Sequence, residues 1–171
     1  MSEQYGVMSG TVKAVGDPDY PGCVQVEFQW MKGRNQAYWA PVAAAMAGGG
    51  RGAYFMPEVG DEVLVACDRG DTNHMFVIGF TWNGVDAPPS QSVRERMIRS
   101  VNGHAIRMLD STPNSGDMGA LIIQDANGNV ITMANGVVTI HAEGVLVLEG
   151  ASIVLRPTGG MRVVQPGNNP L

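Results

Sequence analysis

From Gly119 onward the chain counts in eights. The successive units read GALIIQDA, NGNVITMA, NGVVTIHA, EGVLVLEG, ASIVLRPT and GGMRVVQP, followed by GNNPL. Glycine returns at Gly128, Gly136, Gly144 and Gly160, and Ser152 fills the one gap. Asn102-Gly103 opens a similar unit, NGHAIRML, ahead of an insertion at residues 110–118. A short fixed period means a repeat architecture. Each unit supplies a turn pair and then about five residues rich in β-branched side chains, Val130, Val138, Ile140 and Val154 among them, which suit pleated strands. Across residues 127–171 only Glu143, Glu149, Arg156 and Arg162 are acidic or basic.

Two architectures fit this period. Asn-Gly between strands is a strong hairpin signal, so an antiparallel meander within one chain satisfies the pattern. A β-helix satisfies it almost equally well. The apolar residues tilt the balance. In the third and fourth units Val137 and Val145 lie on one side, and Val138, Ile140, Leu146 and Leu148 on the other. A lone meander would leave a greasy face in water and two open edges. No amphipathic helix of useful length is available to cover it. The expectation is therefore three copies wound into a triangular prism, each octad one strand on one face, with hydrogen bonds running between chains. At ~4.8 Å per strand and ~3.3 Å per residue, six octads make a prism roughly 30 Å long with faces ~17 Å wide. The residues expected to form its repeat and core are Gly128, Val130, Gly136, Val138, Ile140, Gly144, Leu146, Leu148, Val154 and Gly160.

Residues 5–84 follow a different grammar. Asp17-Pro18-Asp19-Tyr20-Pro21-Gly22 is a turn cluster, because proline sets φ and glycine permits positive φ. After it, Val24, Val26, Phe28 and Trp30 alternate with Gln25, Glu27 and Gln29, the period of a half-buried strand. Pro57-Glu58-Val59-Gly60-Asp61 and Arg69-Gly70-Asp71 mark further turns. Gly48-Gly49-Gly50-Arg51-Gly52 lacks the Lys-Ser/Thr ending of a phosphate-binding loop and reads as a flexible surface loop. About five short strands in this span suggest a small closed barrel of the OB type. Pro88-Pro89 then blocks regular structure, and Ser92 is placed to cap one or two helical turns ending at Ile98. The organisation expected is all-β: a barrel domain at residues 1–84, a connector at 85–100 and a β-helical needle at 101–171.

Several motifs in order carry a family resemblance. Gly10-Thr11-Val12, then Asp17-Pro18 through Gly22-Cys23-Val24-Gln25-Val26, resembles the opening of the baseplate assembly protein V and valine-glycine repeat spike families. Trp39-Ala40 to Val42, the run from Gly48 through Pro57-Glu58-Val59-Gly60-Asp61 to Val65, and Val77-Ile78-Gly79 to Trp82-Asn83-Gly84 continue it. The resemblance implies an OB-fold collar followed by a trimeric β-helical needle, the central spike of a contractile tail or injection-system baseplate. It also implies assembly in the host cytoplasm, a place in the virion or injection particle, a hub protein as neighbour and only transient contact with a target membrane. Cys23 stands where the family often has arginine. No lysozyme-like segment separates barrel from needle, so cell-wall cleavage is not expected. The ending at Gln165, Asn168, Asn169 and Leu171 lacks the His-x-His of iron-tipped spikes, which implies a separate conical tip protein of the PAAR-repeat type, contacted by those residues.

The bulk numbers exclude other classes. The 171 residues carry a formal net charge of -5. Phosphate contacts need clustered Lys and Arg, so an OB-fold protein binding single-stranded nucleic acid is the alternative rather than the first reading. Trp30, Trp39 and Trp82 could serve it as stacking platforms, but their strand-like settings point to core packing. Cys23 and Cys67 are the two cysteines, expected as buried free thiols. No apolar run reaches the ~18 residues of a membrane span, and residues 1–10 show no signal peptide. His74, His104 and His141 are too scattered for a metal set. Ser100, His104 and Asp110 have triad residue types without a nucleophile elbow. Asp125 and Glu143 fall at or beside repeat turns, where short polar residues belong, and Asp117 joins them only as an imagined carboxylate group. No catalysis and no cofactor are expected.

Overall fold

The computed structural model describes residues 6–29, 37–112 and 116–154. Among them the chain is all-β, with twelve strands: β1 (Val7–Val15), β2 (Cys23–Glu27), β3 (Tyr38–Pro41), β4 (Ala47–Gly48), β5 (Arg51–Gly52), β6 (Glu62–Asp68), β7 (Asp71–Phe80), β8 (Glu95–Arg99), β9 (Ala105–Leu109), β10 (Ala120–Gln124), β11 (Val130–Ala134) and β12 (Val137–His141). The strands fall into two compact units, Met1–Pro89 and Ser90–Leu171.

In the first unit the sheet order is β3-β2-β1-β6-β7, all antiparallel. The two ends meet: Val42 bridges Val77 in parallel, and the Ala43 amide donates to the Val77 carbonyl at 2.8 Å. The sheet therefore closes into a five-stranded barrel. The alternation in β2 works as expected, since Val24, Val26 and Phe28 are fully buried beside Val12, Val63, Val65 and Val77. Trp30 lies outside the described residues. Gly10 is a glycine for a packing reason: a Cβ there would run into Val26 Cγ1 and lie 3.2 Å from Phe28 Cε1. The Asp17 cluster forms its turn, with the Asp19 amide donating to Asp17 Oδ1 at 2.9 Å. The glycine-rich segment is not the flexible loop its composition suggests. Ala47 pairs with Gly52 and Gly48 with Arg51 in a small hairpin, and a Cβ at Gly52 would lie 2.7 Å from the Met46 carbonyl oxygen, so only glycine fits there.

In the second unit β8 to β12 form one antiparallel meander in chain order. Its register runs straight across the sheet, for example Ile123 opposite Ile131 and Ile131 opposite Ile140. Asn135 and Gly136 have φ of 51° and 76°, the left-handed pair of a two-residue reversal matched to strand twist. The strand pairing of residues 95–141 is thus within one chain, not between chains as one octad per face per chain would require. The meander, weighed above against the β-helix, is what this stretch forms. The expected helical turn after Ser92 is also replaced. Ser92 Oγ does accept from the Arg94 amide at 3.3 Å, but one turn later the chain is strand β8. Ile98 finds Ile106 across the ladder, and pairing overrides local helix propensity.

Candidate functional site

Side chains alternate across a strand, so the register assigns every residue of the meander to a face. One face carries five isoleucines in a single column: Ile98, Ile106, Ile123, Ile131 and Ile140. A second column beside it holds Arg96, Met108, Leu121, Met133 and Val138. Nine of these ten are apolar, yet the isoleucines remain 36% to 56% exposed and Val138 65%. A contiguous apolar surface of this kind marks an interaction site.

The opposite face is chemically different. Its middle column is Met97, Arg107, Ile122, Thr132 and Thr139, flanked by Glu95, Arg99, Gln124 and His141. Arg107 Nε donates to Glu95 Oε1 at 2.6 Å and its Nη1 to Gln124 Oε1 at 3.4 Å. Ser90 Oγ donates to the other Glu95 oxygen at 2.7 Å. The serine hydroxyl, then the guanidinium, hold the Glu95 carboxyl below its usual range. On this face Glu95, Arg107 and Gln124 are joined by side-chain hydrogen bonds.

The turns at one end of the sheet are tied by side chains. Asp125 Oδ1 accepts from the amides of Asn127 and Asn129, and Asn129 Nδ2 donates to Asp125 Oδ2 at 2.6 Å. These bonds, the Asn129 side chain first, depress the Asp125 carboxyl. His104 Nδ1 accepts from the Ala126 amide, and Asn129 Oδ1 accepts from the Glu143 amide at 3.0 Å. Histidine and acids here serve turns. Asp110 pairs with Arg96 rather than with His104, so the Ser100, His104 and Asp110 types do not assemble a triad. Among the described residues no group of His, Cys, Asp and Glu is placed to hold a metal ion, and no helix is long and apolar enough to cross a membrane.

Of the residues singled out from the repeat, Val138 and Ile140 stand on the apolar face, and Val130 stands on the other, opposite His141. Gly128 and Gly136 occupy reversals with positive φ. Gly144 follows β12, and Leu146, Leu148 and Val154 are exposed and outside any strand. Gly160, Gln165, Asn168, Asn169 and Leu171 lie outside the described residues. The octad reading missed Ile98, Ile106, Ile123 and Ile131. A signal existed: counted from the preceding turn glycine, isoleucine falls three, four, three and four residues on, at Gly103 to Ile106, Gly119 to Ile123, Gly128 to Ile131 and Gly136 to Ile140. That alternation is what an antiparallel column requires.

The barrel offers a second surface. Its outward positions on β7 are Phe76, Ile78 and Phe80, and a groove of about 640 Å³ beneath the β4–β5 hairpin is lined by Met46, Tyr54, Phe55 and Phe80. Trp39 stacks on Tyr20 at 4.9 Å, half-buried. Trp82 is 70% exposed, so core packing does not describe it. Cys23 and Cys67 are free and partly rather than fully buried, and burial raises both thiols. Residues 1–89 hold five basic and ten acidic side chains, and residues 90–171 hold six of each, so the entire net negative charge sits in the barrel unit. An exposed tryptophan on a unit that carries the whole net negative charge is a poor platform for a phosphate backbone.

Residues 8–82 match the family model of the type VI secretion system/phage-baseplate injector OB domain. Among curated proteins none matches the chain.

Proposed function

From the membership of residues 8–82 in the type VI secretion system/phage-baseplate injector OB domain family, a structural domain of baseplates, we propose that this chain is the central spike of a contractile injector. Three copies associate through the apolar face of their meanders. Each copy contributes one whole sheet as one side of a triangular prism, and the isoleucine columns of the three meet on its axis. Five strands at ~4.8 Å and five residues at ~3.3 Å give sides roughly 24 Å tall and 17 Å wide. The observation that carries this reading is the column Ile98, Ile106, Ile123, Ile131, Ile140, apolar along its whole length and uncovered in the single chain.

The mechanics follow from that geometry. Burying the exposed half of each isoleucine stabilises the assembly by about 1 kcal/mol per side chain. With all three sheets facing inward, no strand can peel away without exposing the axis to water. A narrow, stiff prism concentrates the force of a contracting sheath on a small area of target membrane, which it meets only in passing. The barrel, with its exposed aromatics, faces the baseplate hub. The chain's end at Gln165, Asn168, Asn169 and Leu171 meets a PAAR-type tip protein. No reaction and no cofactor take part.

The test is complementation. Particles assembled without this chain should regain delivery when wild-type chain is supplied, and should stay inactive with Val138→Asp. Equal delivery by particles lacking the chain would rule the spike role out.

A further inference from the structure

One pair of aromatic rings on the barrel stands outside its core. Tyr20, in the loop from β1 to β2, lies parallel to Trp39 on β3, with ring centroids 4.9 Å apart and 5° between the planes. Trp39 is the half-buried inner ring. Tyr20 is the outer one and is still 45% exposed, so one of its faces meets Trp39 and the other meets solvent. The stack is therefore a flat aromatic platform raised on the barrel surface.

The loop that carries Tyr20 is held on both sides. The Tyr20 amide donates to the Asp17 carbonyl at 3.1 Å, and the Tyr20 carbonyl accepts from the Cys23 amide at 3.1 Å. The Gly22 carbonyl accepts from the Val42 amide at 3.0 Å, which ties the loop to the chain just after β3. A ring fixed before its ligand arrives loses little freedom on binding. Polar groups flank the platform. Gln25 on β2 lies directly opposite Trp39, and both point outward because Val24, Val26 and Ala40 point into the core. No side-chain hydrogen bond of Gln25 forms among the described residues, so its amide keeps both donors and its acceptor for a ligand. Asp19, next to Tyr20 in the loop, is exposed.

We propose that Tyr20, Trp39, Gln25 and Asp19 form a binding face for a neutral oligosaccharide. In five-stranded barrels of this type, the second and third strands and the loop joining the first two are a surface that can hold either a nucleic acid strand or a sugar chain. Charge decides between them here. Residues 1–89 carry ten acidic and five basic side chains, which repel a phosphodiester backbone. Lys13, the basic residue of β1, β2 and β3, is already held by Glu27 at 2.9 Å. A neutral sugar escapes that repulsion. The C–H face of a pyranose lies flat on an aromatic ring, whose π face is negative. Its hydroxyls can donate to the Asp19 carboxylate and can both donate to and accept from the Gln25 amide. The inference stands on the barrel alone and does not depend on how the meanders assemble.

The experiment titrates the full chain with neutral oligosaccharides of glucose, galactose and N-acetylglucosamine, and separately with oligothymidylate, at low and high salt. Calorimetry reads affinity, and saturation-transfer NMR reads which sugar protons touch the protein. The expected result is salt-independent binding of at least one of the sugar series, with the C–H face of one ring in contact. Tyr20→Ala should weaken it about tenfold, the worth of one aromatic stack, and Gln25→Ala should weaken it less. Chemical-shift changes in the wild-type chain should centre on Tyr20, Gln25 and Trp39, which gives the same answer without a variant. No sugar binding at millimolar concentration, shift changes elsewhere on the barrel, or full affinity in Tyr20→Ala overturns the proposal. Salt-sensitive binding of oligothymidylate at this face in place of sugar overturns it as well.

Discussion

Arg107 on β9 donates to Glu95 on β8 at 2.6 Å, and the Glu95 side chain is only 8% exposed. The pair sits on the face turned away from the isoleucines, so it contributes to the sheet and not to the apolar contact. Because the Ser90 hydroxyl and then Arg107 lower the Glu95 carboxyl, the folded sheet binds this proton more weakly than the unfolded chain does. The stability it contributes is fully present above the carboxyl's ordinary value near 4.5 and is lost as pH falls through the depressed folded value. Denaturant unfolding between pH 3 and pH 7 should show this loss in the wild type. Glu95→Gln should be less stable at pH 7 and should lack that part of the acid dependence. Parallel pH profiles for both proteins would count against the arrangement.

The two faces of β12 should respond oppositely to one added charge. Val138→Asp places a carboxylate on the apolar face, where desolvation costs several kcal/mol per copy, and assembly should fail. Thr139→Asp, one residue on, lies with Arg107 and Thr132 on the mixed face, and assembly should survive. Gel filtration of the pair reads the outcome directly.

Gly10→Val should damage the barrel alone. The added side chain meets Val26 and Phe28 in a filled core, and overpacking of this kind costs about 1–3 kcal/mol. Thermal unfolding should show a lower midpoint for the barrel transition, with the particle mass unchanged.

Gly136→Val tests the reversal without a packing clash. Nothing lies within 4 Å of a Cβ at Gly136, so the penalty is backbone strain at a φ of 76°, roughly 1–2 kcal/mol for a side chain. Gly136→Asn should cost less, since asparagine visits this region more readily, as Asn135 does here at 51°. Chemical unfolding that ranks glycine, asparagine and valine in any other order would contradict the turn assignment.

The barrel was legible in the chain because Val24, Val26 and Phe28 alternate cleanly and the Asp17 cluster announces its turn. The meander was legible only as a period. Asn135-Gly136 suits a hairpin and a β-helix corner alike, and the choice appears in φ, which composition does not carry. The isoleucine column was hidden because what alternates is the distance from the preceding turn glycine, three residues at Ile106 and Ile131 and four at Ile123 and Ile140, and not the place in the octad. Ser92 misled for a local reason: it does cap a turn, yet β8 gains more from Ile106 and Arg107 on β9 than from helix. Trp82 misled because its position in an apolar run said nothing about which side of the barrel it faces.

The central claim is that the apolar face is covered by two further copies. Light scattering of the native particle, with and without SDS, measures this most directly. Three chains of 18.1 kDa predict a mass of about 54 kDa that persists in the detergent without heating. A particle of one chain mass at micromolar concentration would contradict it.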